Sequence, residues 1–446
     1  MSQRVVLAYS GGLDTTVAVA WLRETLGAEV ICVAADVGQG TDAAGLRERA
    51  LASGAVDAAV LDVVDEFAED FLSPALAANA RYQGKYPLVS ALSRPIICKH
   101  LVTQARRFGA DSVAHGCTGK GNDQVRFEVA LGALAPDLKV LAPVREWGMN
   151  REETLSYGLA RGMPVRAGAA APYSIDENLW GRAIECGALE DPMAEAPEDV
   201  WDRTVSPSEA PAEATYIEIV FANGVPIGLD AETLHPAEVI RRLDALAGSY
   251  GVGRLDMVED RVVGIKSREV YEVPAAAVLI AAHSDLEELT LEREVLRAKR
   301  HLETRYAELV YEGQWFSPLR EALDAFNAST QRHVNGRVRV KLEAGSARVV
   351  GRSSAGSLYD LSLATYDFGD AFEHSAAKGF VKLWGLPTKT WARAHVASPA
   401  GASVPAVGHV PAEAPLAVVD PLPVVDPLPV ADALGAGAPV LAEPGA

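Results

Sequence analysis

Apolar residues near the start of the chain come in short unbroken runs rather than in alternation. Residues 5–9, 30–35, 58–64, 112–115 and 140–144 each read as a strand buried on both faces. Helical patterns fill the gaps. They cover 14–26, a helix capped by Thr41-Asp42 and running to Gly54, 93–108 ending near Gly109, a helix from about Asp123, and 150–159. Unalternating strands separated by helices predict a parallel sheet covered on both sides. Residues 1–165 are therefore expected to form a doubly wound α/β domain.

The pattern changes over residues 166–356. Residues 216–221 alternate, and Asn223-Gly224 is a hairpin signal ahead of 225–227. Residues 262–265 and 337–342 also read as strands. Residues 286–309 read as one long amphipathic helix with Leu289, Leu296, Leu302, Tyr306 and Leu309 toward a core. Its Arg293, Arg297, Lys299 and Arg300 are expected on a solvated face. This is an α+β domain, followed over 357–393 by a helical arm containing Leu358, Tyr359 and Trp384. Residues 394–446 contain no Lys or Arg, and Val-Asp-Pro-Leu-Pro recurs there after six residues. Such Pro-dense chain is expected to stay extended and disordered.

Composition narrows the function. The chain has 446 residues, 41 basic and 60 acidic, for a net charge of −19. That balance argues against a general nucleic-acid binder, which needs a basic surface. Cys32, Cys98, Cys117 and Cys186 lie far apart with no CxxC pair, so neither a disulfide scaffold nor a zinc ribbon is expected. No apolar run reaches the ~20 residues that span a bilayer. The run at 5–9 is too short for a signal-peptide core. A cytoplasmic protein is the expectation. Asn327-Ala328-Ser329 matches a glycosylation sequon by pattern only.

Two segments carry chemistry. The first, Ala8-Tyr9-Ser10-Gly11-Gly12-Leu13-Asp14-Thr15-Thr16, lies between a buried strand and a helix. Small residues let backbone approach a ligand, and the exposed N–H groups with the helix N-terminus attract anions. A bare Gly-Gly would be only a tight turn with Asp14 as a cap. The full SGGxDT pattern at the end of the first strand points instead to phosphate, since such sheets bind ligands there. It is not a Walker A loop: Ala114 stands where the first Gly would be, and Gly121 follows Lys120 in place of Ser or Thr. The second segment runs from His115 to Glu128 after the fourth strand and faces the same crevice. Lys120 and Arg126 suit phosphate or carboxylate; Asn122 and Asp123 suit an amine or amide.

The SGGxDT loop resembles that of ATP pyrophosphatases, which cleave ATP between the α and β phosphates. Both segments, together with 173–182 and 256–268, closely resemble the argininosuccinate synthase family from about residue 4 to about 393. The resemblance implies a ligase that joins citrulline to aspartate, with ATP as substrate, Mg²⁺, and AMP and pyrophosphate as products. It implies that Ala8, Tyr9, Ser10, Gly11, Gly12, Leu13, Asp14, Thr15, Thr16, Ala35 and Gly116 hold ATP. Thr118, Asn122 and Asp123 would hold aspartate. Tyr86, Asn122, Arg126, Ser174, Glu259 and Tyr271 would hold citrulline. Taken singly, Tyr86 and Tyr271 would read as core or surface aromatics, Ser174 as a cap and Glu259 as a surface charge. A homotetramer assembled partly through the arm is implied as well. No enzyme nucleophile is needed, and no general base stands out.

Ala91 and Ala183 replace serines that some members carry, each removing a hydroxyl worth on the order of 1 kcal/mol if it bonded substrate. They are the sole support for an alternative, a related ligase adenylating a different ureido or amide substrate. A tRNA-modifying enzyme conflicts with the acidity and the isolated cysteines. A non-catalytic partner-binding protein conflicts with the intact loops.

Overall fold

The computed structural model describes residues 3–165, 173–367 and 369–396. Contacts divide the chain into a unit running to Asp370 and a second beginning at Ala371.

The first unit begins with five parallel strands, β1 (Arg4–Ala8), β2 (Glu29–Asp36), β3 (Asp57–Asp62), β4 (Ser112–Ala114) and β5 (Lys139–Leu141), in the order β3-β2-β1-β4-β5. The helices between them are α1 (Leu13–Leu26), α2 (Ala43–Ala52), α3 (Val89–Phe108) and α4 (Asp123–Leu134), with α5 (Arg151–Leu159) after β5. The unbroken apolar runs are explained by burial on both faces. Val5 and Leu7 pack with Val19 and Leu22 of α1 and Leu46 of α2. Val6 points the other way, toward Leu101 of α3 and Phe127 of α4. The strand order reverses between β1 and β4, which opens a crevice at their carboxyl ends.

Most boundaries fall where the sequence places them. Asp42 caps α2 by accepting from Gly45 N at 3.0 Å, and Asn150 forms a reciprocal capping box with Glu153 ahead of α5. Three boundaries differ. β3 ends at Asp62 rather than at 64, because Val64 opens a helical turn. α3 starts at Val89 rather than at Ser93. The Ser90 N–H donates to the Tyr86 hydroxyl at 2.9 Å, so a side chain from the preceding segment meets the capping need, while Ser93 Oγ donates to the Ser90 carbonyl. β5 stops at Leu141, because Pro143 opens a short helical turn, Pro143–Glu146.

Two antiparallel sheets follow. One comprises β6 (Ser174–Asn178), β7 (Gly181–Glu185), β11 (Arg254–Asp260) and β12 (Lys266–Glu272), ordered β11-β12-β7-β6. The other comprises β8 (Thr215–Ala222), β9 (Val225–Leu229), β10 (Glu232–Thr233), β13 (Gly336–Glu343) and β14 (Ser346–Ser353). Asn223 and Gly224 both take positive φ, 49° and 76°, as a two-residue hairpin with right-handed twist requires. Helix α6 (Pro236–Gly248) packs near α7 (Pro274–Thr290), followed by α8 (Arg293–Tyr311) and α9 (Pro318–Gln331).

Three expectations for this part need correction. Residues 262–265 are the turn between β11 and β12, not a strand. The Arg261 N–H donates to the Ile265 carbonyl, Gly264 adopts φ 88°, and Val262, Val263 and Ile265 are exposed. Residues 286–309 form two helices, because Leu291 is extended and the Glu292 carboxylate caps α8. Lys299 is fully buried rather than solvated, paired with Glu287 at 3.1 Å and Glu303 at 2.7 Å. Asn327 of the sequon is buried on α9.

In the second unit, α10 (His374–Trp384) and α11 (Leu386–His395) meet at Gly385. Helix α11 continues two residues past the predicted end of the arm. Residues 397–446 of the proposed tail, with the Pro-rich repeat, lie outside the described residues. No helix among the described residues is long and apolar enough to cross a membrane.

Candidate active site

The Ser10-Gly11-Gly12 loop leaves β1 and enters α1 through Gly11, at φ 73°, and Gly12, which occupies the N-cap. Four hydroxyls brace it. Ser10 Oγ lies 3.1 Å from Thr15 Oγ1 and accepts from Gly12 N, while the Tyr9 hydroxyl lies 3.2 Å from Thr16 Oγ1. Tyr9 is buried, and burial raises its phenol above the usual range.

A cavity of about 510 Å³ opens over the carboxyl ends of β1, β2 and β4. Ala8, Tyr9, Ser10, Thr15, Ala35 and Gly116 line it. Gly11, Gly12, Leu13 and Thr16 line a neighbouring cavity of about 280 Å³ with Arg49 and Arg151. Asp14 lines neither cavity; burial raises its carboxyl, opposed by Arg151. The loop thus presents one edge to each cavity.

A third cavity, of about 380 Å³, shares Ser10, Arg94, Gly116, Cys117, Asp123 and Asp176 with the first. The structure brings all of Tyr86, Thr118, Asn122, Asp123, Arg126, Ser174, Glu259 and Tyr271 onto its wall. These residues come from the segment before α3, from the β4–α4 loop and α4, and from β6, β11 and β12. Ala183 of β7 also lines it, whereas Ala91 is buried within α3 and does not. Lys120 is exposed and lies off the wall.

The polar groups here are held firmly. Arg94 donates to Asp123 Oδ2 at 2.7 and 2.9 Å and to Asp176 at 2.6 Å. Arg126 donates to Asp123 Oδ1 at 2.9 Å and to the Tyr311 carbonyl at 2.9 Å. Burial alone would raise the Asp123 carboxyl; the two guanidinium groups outweigh it and hold the group at about 2. Asp123 is therefore a carboxylate at any working pH. Asn122 begins α4 but does not cap it. Its side chain donates to the Tyr311 hydroxyl and accepts from Val262 N. Glu259, only 1 % exposed, receives the hydroxyls of Tyr271 and Tyr311. Two aromatic stacks flank it, Tyr86–Tyr271 at 4.3 Å and Tyr82–Tyr311 at 3.6 Å.

Arg94, Asp176, Glu185, Arg261, Glu269 and Tyr311 belong to the same surroundings and were missed by sequence reasoning. Arg94 sits inside a helical pattern and Glu269 inside a charged strand, so neither carried a local signal. Burial beside the β4–α4 loop is what sets them apart.

The chain matches two family models in succession. Residues 4–164 match the arginosuccinate synthase N-terminal HUP domain, and residues 173–391 match the arginosuccinate synthase C-terminal domain. It is 55 % identical over 394 residues to the argininosuccinate synthase of Synechococcus sp. strain RCC307, covering 88 % of this chain and 97 % of that one. To that of Brevibacillus brevis it is 56 % identical, covering 88 % and 94 %. To that of Gloeobacter violaceus it is 55 % identical, covering 88 % and 99 %.

Proposed function

The chain belongs to the argininosuccinate synthase family of ATP-dependent ligases, and from that premise we infer that it joins citrulline to aspartate while cleaving ATP to AMP and pyrophosphate. The observation that carries this reading is the wall common to two cavities: Ser10, Gly116 and Asp123 border both the space beside the phosphate loop and the polar chamber. A nucleotide α-phosphate at that wall faces a substrate in the chamber.

The chemistry needs such a junction. A ureido oxygen leaves poorly, so it first attacks the α-phosphate and expels pyrophosphate, giving citrullyl-AMP. The aspartate amine then attacks the ureido carbon and expels AMP. Catalysis rests on positioning and on electrostatic stabilisation of developing phosphate charge. The loop Ala8 to Thr16, with Ala35 and Gly116, takes ATP. Arg126 takes the citrulline carboxylate and Glu259 its α-ammonium, with Tyr86, Asn122, Ser174 and Tyr271 around them. Thr118, Asn122 and Asp123 take aspartate. We assign residues 1–165 to nucleotide binding, 166–356 to substrate binding, 357–393 to assembly of a homotetramer, and 394–446 to a tail.

Among the described residues no group of three or more His, Cys, Asp or Glu is placed to hold a metal ion. Mg²⁺ keeps much of its water and travels on phosphate oxygens with few protein ligands. The Ser10 and Thr15 hydroxyls on the cavity wall fit that role as the protein's oxygen donors. When bound, the ion screens phosphate charge.

The test is AMP and pyrophosphate formation by the full chain with Mg-ATP, given citrulline and aspartate together and each alone. Full turnover requiring both supports the reading. ATP cleavage that ignores citrulline but answers to another ureido compound would move the function to a sister ligase, where Ala183 shapes the chamber. Asp123→Asn separates the two steps. It keeps the shape between Arg94 and Arg126 but removes the charge. The KM for aspartate is expected to rise about 10- to 100-fold, the loss of a charge-assisted contact. Citrulline-dependent pyrophosphate release in a single turnover is expected to persist. Equal loss of both steps would show that Asp123 acts mainly by holding Arg94 and Arg126 in place.

A further inference from the structure

Glu269, on β12, is partly buried, its side chain 15 % exposed, and shares the Tyr271 hydroxyl with Glu259, with no assigned role. The Tyr271 hydroxyl lies 2.9 Å from Glu269 Oε2 and also contacts Glu259 Oε1. A hydroxyl carries one proton. If both carboxyl groups were ionised, one of these two contacts would hold no hydrogen and would set oxygen lone pairs against each other. One extra proton resolves the conflict: Glu269 donates to Tyr271, and Tyr271 donates to Glu259.

The surrounding charges agree. Burial, reinforced by the Glu259 carboxylate, raises the Glu269 carboxyl to about 7. Arg261 from the β11–β12 turn, 3.2 Å from Glu269 Oε1, opposes that rise, as does Arg126 of α4. Arg261 is shared with Glu185 of β7, so it does not neutralise Glu269 alone. Tyr86 and Tyr271 complete the walls, and Ser267 Oγ approaches Glu269 at 3.4 Å.

We propose that Glu269 is a second carboxylate of the α-ammonium subsite, and that it releases its proton to solvent when the ammonium of the carbamoyl amino acid binds beside Glu259. This rests on the citrulline reading above. An ammonium brings three donors and a positive charge, so it replaces the resident proton as the link between the two carboxyl groups. The balance is simple: the O–H bond of Glu269 breaks, its electron pair stays on the carboxylate, and the proton goes to water.

The expected result is a citrulline KM that falls on the order of tenfold from pH 6 to pH 8, as ionisation of Glu269 prepares the site. The KM for ATP should stay flat across the same range. Glu269→Gln fixes the uncharged state, so its citrulline KM should stay at the high, acid-side value throughout. Glu269→Asp keeps a titrating carboxyl and should keep a pH-dependent KM, which a purely structural role would not produce. Citrulline turnover with superimposable pH profiles in the wild-type and Glu269→Gln proteins would overturn the role of Glu269 alone. A wild-type protein indifferent to citrulline would overturn the substrate reading, and this inference with it.

Discussion

Gly11→Val is expected to lower kcat/KM for ATP by on the order of 10²- to 10³-fold, the scale on which a misplaced donor to a developing anion is felt. At φ 73° a branched residue is strained, and a Cβ there would stand 2.4 Å from Leu46 Cδ1. Leu46 is buried with residues of α1 and also borders the larger cavity, so its side chain gives way only by entering that space, while the positive φ strains the loop regardless. The loop itself must shift, and with it the N–H groups of residues 11 and 12 and the Ser10–Thr15 contact. Gly12 is a useful contrast. It has an ordinary φ of −74°, and a Cβ would only touch Ser10 Oγ at 3.4 Å. Gly12→Ala should therefore cost much less. Steady-state pyrophosphate release, with a melting curve for each variant, checks both. Near-normal ATP use by Gly11→Val would show that phosphate does not depend on this backbone.

Lys299→Met is expected to lose about 3–5 kcal/mol of folding stability, the cost of leaving a buried charge without its partner. The Lys299 ammonium faces Glu287 and Glu303. Glu287 also accepts from Asn79 at 2.7 Å and from Gln331 at 2.6 Å. His283 closes the cluster through Asn79 and Gln331. These residues tie the segment at Asn79 to α7, α8 and α9. Burial pulls the His283 imidazole down, but both of its nitrogens face amide oxygens, Asn79 Oδ1 at 2.7 Å and Gln331 Oε1 at 2.8 Å, and two donors there require the protonated ring. Urea unfolding with an unchanged m-value would give the loss through the midpoint. A shift worth under about 1 kcal/mol would mean that the two carboxylates find other partners.

Much of the site was legible in local sequence because its chemistry is local. The phosphate loop is contiguous, and its Gly-Gly, hydroxyls and helix start announce themselves within nine residues. The β4–α4 loop is similarly dense. Tyr86, Ser174, Glu259 and Tyr271 became visible only through longer family motifs, since each alone is an unremarkable residue. Arg94 and Glu269 stayed hidden even then. Their significance is their surroundings: a guanidinium between two carboxylates, and a carboxyl sharing one hydroxyl with its neighbour.

The errors have the same origin. Residues 262–265 are apolar enough for a strand, but pairing with a partner decides what a strand is, and Gly264 turns the chain instead. One amphipathic period ran through 286–309, yet Glu292 caps a new helix within it. Lys299 fell in a run of charges that read as a wet surface.

The sequence by itself determined the parallel α/β domain, the Gly-Gly turn between β1 and α1, the hairpin at Asn223-Gly224 and the second polar loop. All of these follow from hydrophobic period and short-range backbone chemistry, which act over a few residues. Only the tertiary structure decided that the loop divides between two cavities, that Lys299 is buried, and that Glu259 and Glu269 face each other. Burial and charge pairing join residues far apart in the chain, and their energies depend on the solvent that folding excludes.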